Sequence, residues 1–202
     1  MSSVIFSDEA TYYVNGTVST HQFRTWAKTN PHKVIQKQRF TQKVTVWFGY
    51  SQKLKIPPFF FNGNVTGDNY RSLLLSHVKP FLTKRHKLRC NMFQQDGATA
   101  HTASETLDTC RKIFKDKLIS LHTEFEWPAN SPDLSPLDYF LWNEVKTKVY
   151  SQPIQDVNQM KELILSAIAN IEQQTLSNSI ENIKYRLSRC VSAKGSHFEQ
   201  CF

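Results

Sequence analysis

The sequence predicts an α/β fold in which an antiparallel meander comes first and strands alternating with helices follow. Runs rich in β-branched and aromatic residues fill much of the segment from residue 4 to residue 61. Apolar residues at helical spacing then occur between the later strand-like runs. With 202 residues, 40% of them hydrophobic, the chain is long enough to bury the core of one domain with a helical extension.

The first predicted strand covers residues 4–14 and ends at Asn15-Gly16, a pair typical of tight hairpin turns. Alternation along the strand places Asp8 on the same face as Val4 and Phe6. An isolated ionised carboxylate among apolar side chains is costly. Asp8 is therefore either exposed at the sheet rim beside Glu9 or neutralised by a cation or hydrogen bonds, and this segment taken alone favours exposure.

The meander has three or four strands: residues 43–50 and 54–61 are predicted strands, and residues 18–26 are a candidate for one more. Pro57-Pro58 makes the last of these an edge strand or extended arm. A helix from Asn69 to about Leu82 follows, with Asp68 as its predicted cap.

The next predicted strand, residues 88–95, ends at Asp96, and the carboxyl ends of strands are where ligand sites gather in open α/β sheets. Gly97 then allows a sharp turn into a helix capped by Thr99 or Thr102 and running to about residue 115. His101 lies one turn from Asp96. It either hydrogen-bonds near the helix start or touches substrate, and its position favours the first.

A fifth strand is predicted within residues 117–125, and turn-forming residues after it lead into a helix. Ser135 is the predicted N-cap of that helix, with Pro136 in its first turn and Asp138 at the third helical position. Helical spacing places Asp138 on the stripe that packs on the sheet, together with Leu141, Trp142, Val145 and Val149. Helix capping would account for an aspartate at position 138 without a catalytic role, and turn formation would do so for Asp133.

The C-terminal part, residues 151–202, is predicted to be a helical extension of a domain that spans residues 1–150. Asp156 caps a helix to about Gln173, and a further helix begins near Leu176. Their apolar stripes pack against the sheet or each other, with a homodimer contact as the alternative.

Charge and cysteine usage limit the classes of partner. A formal net charge of +8 favours a polyanion such as nucleic acid, although basic runs are also common on solvated faces. Four scattered cysteines indicate neither a zinc knuckle nor a disulfide framework, which fits a reducing compartment. We find no signal peptide and no membrane-spanning run, so we expect an intracellular, soluble protein without a membrane partner, and we expect no small-molecule cofactor. The candidate nucleic-acid-binding residues are Lys33, Lys37, Arg39, Lys84, Arg85, Lys87 and Arg89.

Several phrases together resemble the catalytic domain of a mariner-type transposase of the Tc/mariner superfamily. They are FSDEATYYVNG, VWFGY, FFFNGNVTGDNY, FQQDGATAHTA and WPANSPDLSPLDYFLW, with RLSRC and GSHFE near the end. Their order is more specific than any one of them, and the similarity covers nearly the whole chain. It implies a ribonuclease-H-like fold, with a mixed five-stranded sheet flanked by helices.

The resemblance implies that Asp8, Asp96 and Asp138 form an acidic triad that binds two Mg²⁺ or Mn²⁺ ions, with Glu9, Gly97 and His101 nearby. Carboxylates suit such hard cations, and two ions can stabilise both oxygens of an in-line phosphodiester displacement. The implied activity is DNA strand cleavage and strand transfer on transposon ends and target DNA, in the nucleus.

Two departures from the family pattern stand out. The interval between Asp96 and Asp138 is several residues longer than in the best-known relatives, which indicates an insertion. Choosing Asp133 as the third ligand would bring the interval closer to the length found in those relatives. Asp133, however, does not match the family motif and does not lie on the helical stripe. We therefore assign Asp138 and keep Asp133 as the alternative ligand. We also expect the N-terminal helix-turn-helix domain to be absent, because Asp8 lies so close to Met1. The alternative function is therefore a truncated or domesticated remnant that binds nucleic acid without catalysis.

Overall fold

The computed structural model describes residues 3–16, 42–88, 91–196 and 198. The predicted strand at residues 18–26 lies outside the described residues, as do Lys33, Lys37, Arg39 and Arg89.

Five strands form one mixed sheet in the order β3-β2-β1-β4-β5. The strands are β1 (Ser3–Tyr13), β2 (Lys43–Ser51), β3 (Leu54–Phe61), β4 (Asn91–Gln94) and β5 (Leu118–Ile119). β1 pairs antiparallel with β2 and parallel with β4. β2 pairs antiparallel with β3, and β4 pairs parallel with β5. This arrangement confirms the predicted α/β class and the mixed five-stranded sheet.

The fifth strand is much shorter than the predicted run of residues 117–125. After β5 the side chain of Thr123 accepts a hydrogen bond from the Ser120 N–H, and its hydroxyl can donate its one proton to the carbonyl oxygen of either Ser120 or Phe125. These local bonds compete with strand pairing and turn the chain.

The first helical stretch consists of α1 (Gly67–Leu73), a π-helical turn (Leu74–Val78) and α2 (Lys79–Lys84). Thr66, not Asp68, is its N-cap, because Thr66 and Asn69 exchange the two hydrogen bonds of a capping box. Asp68 instead pairs with Arg71 one turn later. The cap prediction was wrong because Thr66, two residues earlier, has in Asn69 a capping-box partner three residues on.

Two other predicted caps were also wrong. α3 (Thr99–Thr102) and α4 (Ser104–Phe114) begin after Ala98 and Ala103, with no side-chain cap, and Thr99 and Thr102 lie inside α3. The Thr102 hydroxyl donates back to the Ala98 carbonyl oxygen.

The segment that carries Asp138 is a π-helical turn, Leu137–Leu141, which continues into α5 (Trp142–Val149). Pro136 holds the N-cap position without a side-chain cap. Ser135 contributes its carbonyl oxygen, which accepts from the N–H groups of Asp138 and Tyr139. The expected capping box at Ser135 was therefore wrong, because the wider turn brings the backbone carbonyl into this role.

Two C-terminal helices follow, α6 (Val157–Ala169) and α7 (Gln173–Ser192). Asp156 caps α6, as predicted, by accepting hydrogen bonds from the N–H groups of Asn158 and Gln159. The division of the chain at residue 150 remains a prediction. Among the described helices, none combines the length and the apolar character needed to cross a bilayer.

Helices cover both faces of the sheet. On one, which we call the α5 face, strand residues pack against α5, α6 and α7, and on the other, the α4 face, they pack against α1, α2 and α4. β1 contributes Phe6, Ala10 and Tyr12 to the α5 face and Ile5 to the α4 face, as strand alternation requires. Asp8 therefore belongs to the α5 face and Glu9 to the α4 face.

We predict that Asp156→Ala lowers the free energy of unfolding by about 0.5–2 kcal/mol, because the N–H groups of Asn158 and Gln159 lose their acceptor. Asp156→Asn, which retains an acceptor oxygen, should stay close to wild type. Urea unfolding followed by circular dichroism measures both, and equal losses in the two variants would contradict a capping role.

Candidate active site

Three of the predicted carboxylates line one cleft. Asp8, Asp96 and Asp138 border an open cavity of about 380 Å³, together with Glu9 and Gly97. The opposite wall is the loop from Trp127 to Pro132 with Ser135. Side chains that lie far apart along the sequence therefore meet at one place.

Strand register brings Asp8 and Asp96 side by side. The parallel pairing of β1 with β4 ends with Phe6 opposite Gln94. Asp8 and Asp96 each lie two residues beyond that pair, so they emerge at the same level of neighbouring strands, which run about 4.8 Å apart. The Ser7 hydroxyl reinforces this register by donating to the Gln94 carbonyl oxygen at 2.8 Å.

Asp8 is held from the α5 face. The indole N–H of Trp142, which is 4% exposed, donates to Asp8 Oδ2 at 2.7 Å. Burial raises the pKa of Asp8 well above its ordinary value, and the charges of Asp138 and Glu9 raise it further. The Trp142 hydrogen bond opposes this shift because it stabilises the carboxylate.

Asp138 reaches the cleft from the π-helical turn. Its side chain is exposed to the cleft, yet desolvation by the surrounding protein raises the pKa of its carboxyl to about 6. The Ser135 hydroxyl opposes the shift and the charge of Asp96 adds to it. π-helical turns are frequent at functional sites because they redirect a side chain within a helix.

Asp96 is held by His101, whose ring lies on the α4 face beside Glu9. His101 Nδ1 lies 2.6 Å from Asp96 Oδ1, and its Nε2 lies 3.3 Å from Glu9 Oε1. Burial of the ring, which is 2% exposed, lowers the pKa of His101, but the two carboxylates outweigh it and raise the pKa to about 10. His101 is therefore a cation at neutral pH and donates from both ring nitrogens.

The same contacts lower the pKa of Asp96. Burial raises it, but the His101 hydrogen bond and charge prevail, with help from the Ala98 N–H, which donates to Asp96 Oδ1 at 3.0 Å. Of the two sequence interpretations of His101, the structure places its ring near the helix start and hydrogen-bonded, with Asp96 as the partner.

Sequence reasoning did not assign the residues that support His101. The Tyr70 ring packs on the His101 ring, with centroids 4.1 Å apart and the ring planes tilted by 35°, and the Tyr70 hydroxyl donates to Gln95 Oε1 at 2.9 Å. The Gln95 amide donates to the His101 carbonyl oxygen and to Ser120 Oγ. The position of Gln95 directly before Asp96 was the only available signal in the sequence. A linear pattern does not reveal that the Gln95 side chain is buried.

Trp142 was predicted on the packing stripe but not as a partner of Asp8. Its position four residues after Asp138 was the signal that could have found it, since both then point toward the sheet. The pairing itself depends on how α5 lies across β1.

Asp133, the alternative ligand, is not among the residues that line the cleft. It lies in the short 3₁₀ turn Pro132–Leu134, and its carbonyl oxygen accepts a hydrogen bond from Arg186 at 2.8 Å. The geometry thus brings Asp138, and not Asp133, beside Asp8 and Asp96.

The predicted basic residues within the described chain lie elsewhere. Lys84, Arg85 and Lys87 are exposed at the end of α2 and do not line the cleft. The Arg85 guanidinium stacks over the Phe81 ring at 3.7 Å.

The donor set of the cleft fits a hard divalent cation. The carboxylates of Asp8, Glu9, Asp96 and Asp138 line one cavity. Burial raises the pKa values of Asp8 and Asp138, and the charges of neighbouring carboxylates raise them further, so a bound cation would favour the ionised forms of both. Within the described residues, no group of three or more His, Cys, Asp or Glu side chains is already drawn together in a metal-holding arrangement.

Comparisons with known proteins connect this geometry to transposases. No family model matches the chain. The transposable element Tc3 transposase of Caenorhabditis elegans is 29% identical over 198 residues, which cover 96% of this chain. The chain spans 57% of the length of that curated relative.

Solved structures with similar folds include complexes and isolated domains of Mos1 transposase. The mariner Mos1 paired end complex with Mg has a TM-score of 0.76 at 21% identity, covering 98% of this chain and 57% of that one. The Mos1 catalytic domain has a TM-score of 0.71 at 19% identity, covering 97% and 84%. At these identities the structures establish the fold, which is ribonuclease-H-like, as predicted.

The sequence match and the shared fold together confirm the resemblance to a Tc1/mariner-type transposase catalytic domain that the motifs indicated.

Proposed function

We propose that this chain carries out metal-dependent DNA strand cleavage and strand transfer. The observation that carries the proposal is the single cleft lined by Asp8, Asp96 and Asp138. The Tc3 and Mos1 similarities support DNA as the substrate, since the Mos1 complexes contain transposon ends. The proposal includes a nuclear location, where chromosomal DNA would be the target.

The three carboxylates would hold two divalent ions, Mg²⁺ or Mn²⁺, both of which occur in structures of the Mos1 catalytic domain. The chemistry such ions supply when bound is stabilisation of charge on the attacking and leaving oxygens of a phosphodiester displacement.

The protein's own contribution is orientation and charge. His101 holds Asp96 in its ionised form from the α4 face, and Trp142 fixes one oxygen of Asp8 from the α5 face. Each of these two ligands is thereby oriented by a buried neighbour, as is common for metal ligands. Trp127 and the loop to Pro132 form another part of the cleft wall.

A homodimer belongs to the same proposal, because strand transfer acts on paired DNA ends. α7 offers apolar side chains at its surface, since Tyr185, Leu187 and Val191 are exposed.

A catalytically silent, nucleic-acid-binding remnant is the second candidate. One observation favours it: within the described residues, no group of three or more His, Cys, Asp or Glu side chains lies in an arrangement that could hold a metal ion.

We predict that Asp96→Asn and Asp138→Asn each abolish Mg²⁺- or Mn²⁺-dependent nicking of supercoiled DNA, because each removes a ligand charge. Asp133→Asn is the matched control and should retain wild-type nicking. If the folded wild-type protein nicks DNA with neither metal, the enzyme proposal is wrong and the remnant is favoured. If only Asp133→Asn loses nicking activity, the assignment of Asp138 as a ligand is wrong.

We predict that Trp142→Phe reduces nicking by about 10- to 100-fold, the usual cost of losing a residue that orients a metal ligand. Phenylalanine keeps most of the apolar packing but cannot donate to Asp8. Part of the loss should be recovered at higher Mn²⁺ concentration, because the defect lies in ligand orientation. A loss that tracks only a lower melting temperature would instead indicate a packing role.

We predict that the apparent Mg²⁺ affinity falls as the pH is lowered from 8 to 5. Asp138, with its pKa raised to about 6, and Asp8, with a raised pKa, take up protons in this direction and cease to be ligands. Isothermal titration calorimetry at several pH values measures the affinity. Asp138→Asn should weaken the pH dependence, whereas Asp133→Asn should leave it intact; a flat wild-type profile would contradict the prediction.

A further inference from the structure

A second cavity, of about 290 Å³, lies away from the carboxylates and is lined by lysines. Its polar lining comprises Lys79, Lys112, Lys115 and Lys117 with Asp116 as the single acidic residue. Ile113 and Phe114 supply buried apolar surface beneath them. The cavity is therefore strongly cationic, in contrast to the acidic cleft.

The fold places the two cavities at opposite ends of β4 and β5. Asp96 follows the carboxyl end of β4, whereas Lys117 precedes β5, and its carbonyl oxygen accepts from the Phe93 N–H at 2.8 Å. α4 begins just after His101 and ends at the lysines. With 11 residues, α4 spans about 16 Å, and this length is a measure of the distance between the two cavities.

Three of the lining lysines carry charge that no carboxylate in the described part of the chain offsets through a salt bridge. Lys79, Lys112 and Lys115 are exposed, and none of them belongs to a salt bridge among the described residues. Ammonium groups gathered around one cavity repel one another unless an anion is present.

Lys115 also occupies a backbone conformation that glycine would adopt more easily. It ends α4 with φ 57° and ψ −125°. In that region the Cβ atom of any other residue is strained, and strain of this kind often marks a functional side chain. A lysine at this point adds a charge to the cavity at the expense of local backbone strain.

We propose that this lysine-lined cavity binds the phosphate groups of a nucleic-acid backbone and forms a second DNA contact about one helix length from the catalytic cleft. The inference rests on the proposed function only for the choice of DNA as the polyanion. Lysines are point charges without a base-reading geometry, so the contact is independent of base sequence. Lys84, Arg85 and Lys87 lie on the segment between the lining residues Lys79 and Leu88 and are exposed.

The test compares two full-length triple variants with the same change in net charge. Lys79→Gln, Lys112→Gln and Lys115→Gln remove lining charges, and Lys53→Gln, Lys184→Gln and Lys194→Gln remove exposed lysines elsewhere. Fluorescence anisotropy with a mixed-sequence DNA duplex, without divalent ions, measures the affinity over a range of salt concentrations.

We expect the lining triple to reduce the magnitude of the slope of log affinity against log salt by about 0.9 for each DNA phosphate that the variant no longer neutralises. The control triple should change it little. Equal changes in the two triples, or none in the lining triple, would overturn the proposal. The binding assay needs neither a metal ion nor DNA cleavage. Its result is therefore independent of the nicking assay, and the two proposals can fail separately.

Two further measurements test whether Lys115 takes part in the contact and whether the cavity binds small anions instead of DNA. Lys115→Gly should raise the melting temperature and lower DNA affinity, while Lys115→Arg should preserve affinity; unchanged affinity in Lys115→Gly would exclude Lys115 from the contact. Inorganic phosphate and a mononucleotide serve as competitors. If either binds in a lysine-dependent way while duplex binding is unaffected by the lining triple, the cavity is a small-anion site and the nucleic-acid assignment is wrong.

Discussion

The parallel pairing of β1 with β4 is the constraint on which the site depends. Because Phe6 pairs with Gln94, Asp8 and Asp96 leave the sheet at one level, although they are far apart in the chain. A shift of one residue would turn Asp8 toward the opposite face and separate the pair. The buried hydrogen bond from Ser7 to the Gln94 carbonyl oxygen, together with the packed cores on both faces, stabilises this register.

Placing several carboxylates at one edge of the sheet is electrostatically unfavourable. Side chains from both faces of the sheet offset part of this cost. On the α4 face His101 is charged and ties Asp96 to Glu9, which lowers the pKa of Asp96. On the α5 face Asp8 receives a neutral donor, Trp142, and its pKa stays raised. Asp8 and Asp138 thus have raised pKa values, and a bound cation would have its largest effect on the ionisation of these two carboxyls. The cationic cavity at the far end of α4 keeps its positive charge away from these two carboxylates.

Local patterns predicted the framework well. β2, β3, the Asp156 cap and the stripe of α5 all follow from alternation, helical spacing and side-chain chemistry within a few residues. The errors were also local. Thr66, Ser135 and the residues near Thr99 show that several neighbouring polar residues can satisfy the same cap requirement, and that a backbone carbonyl can do so instead. The fifth strand was predicted too long because side-chain bonds from Thr123 ended it.

By itself, the sequence determined the α/β class, the family resemblance and three candidate acids, because these depend on residue types at short spacing and on motif order. Only the tertiary structure decided which carboxylates share a cleft and what holds them. The register of β1 against β4, the turn that presents Asp138 and the contacts of His101 and Trp142 join segments up to 134 positions apart. Such contacts depend on how elements pack in space, and packing between distant segments leaves no periodic signal in a single chain.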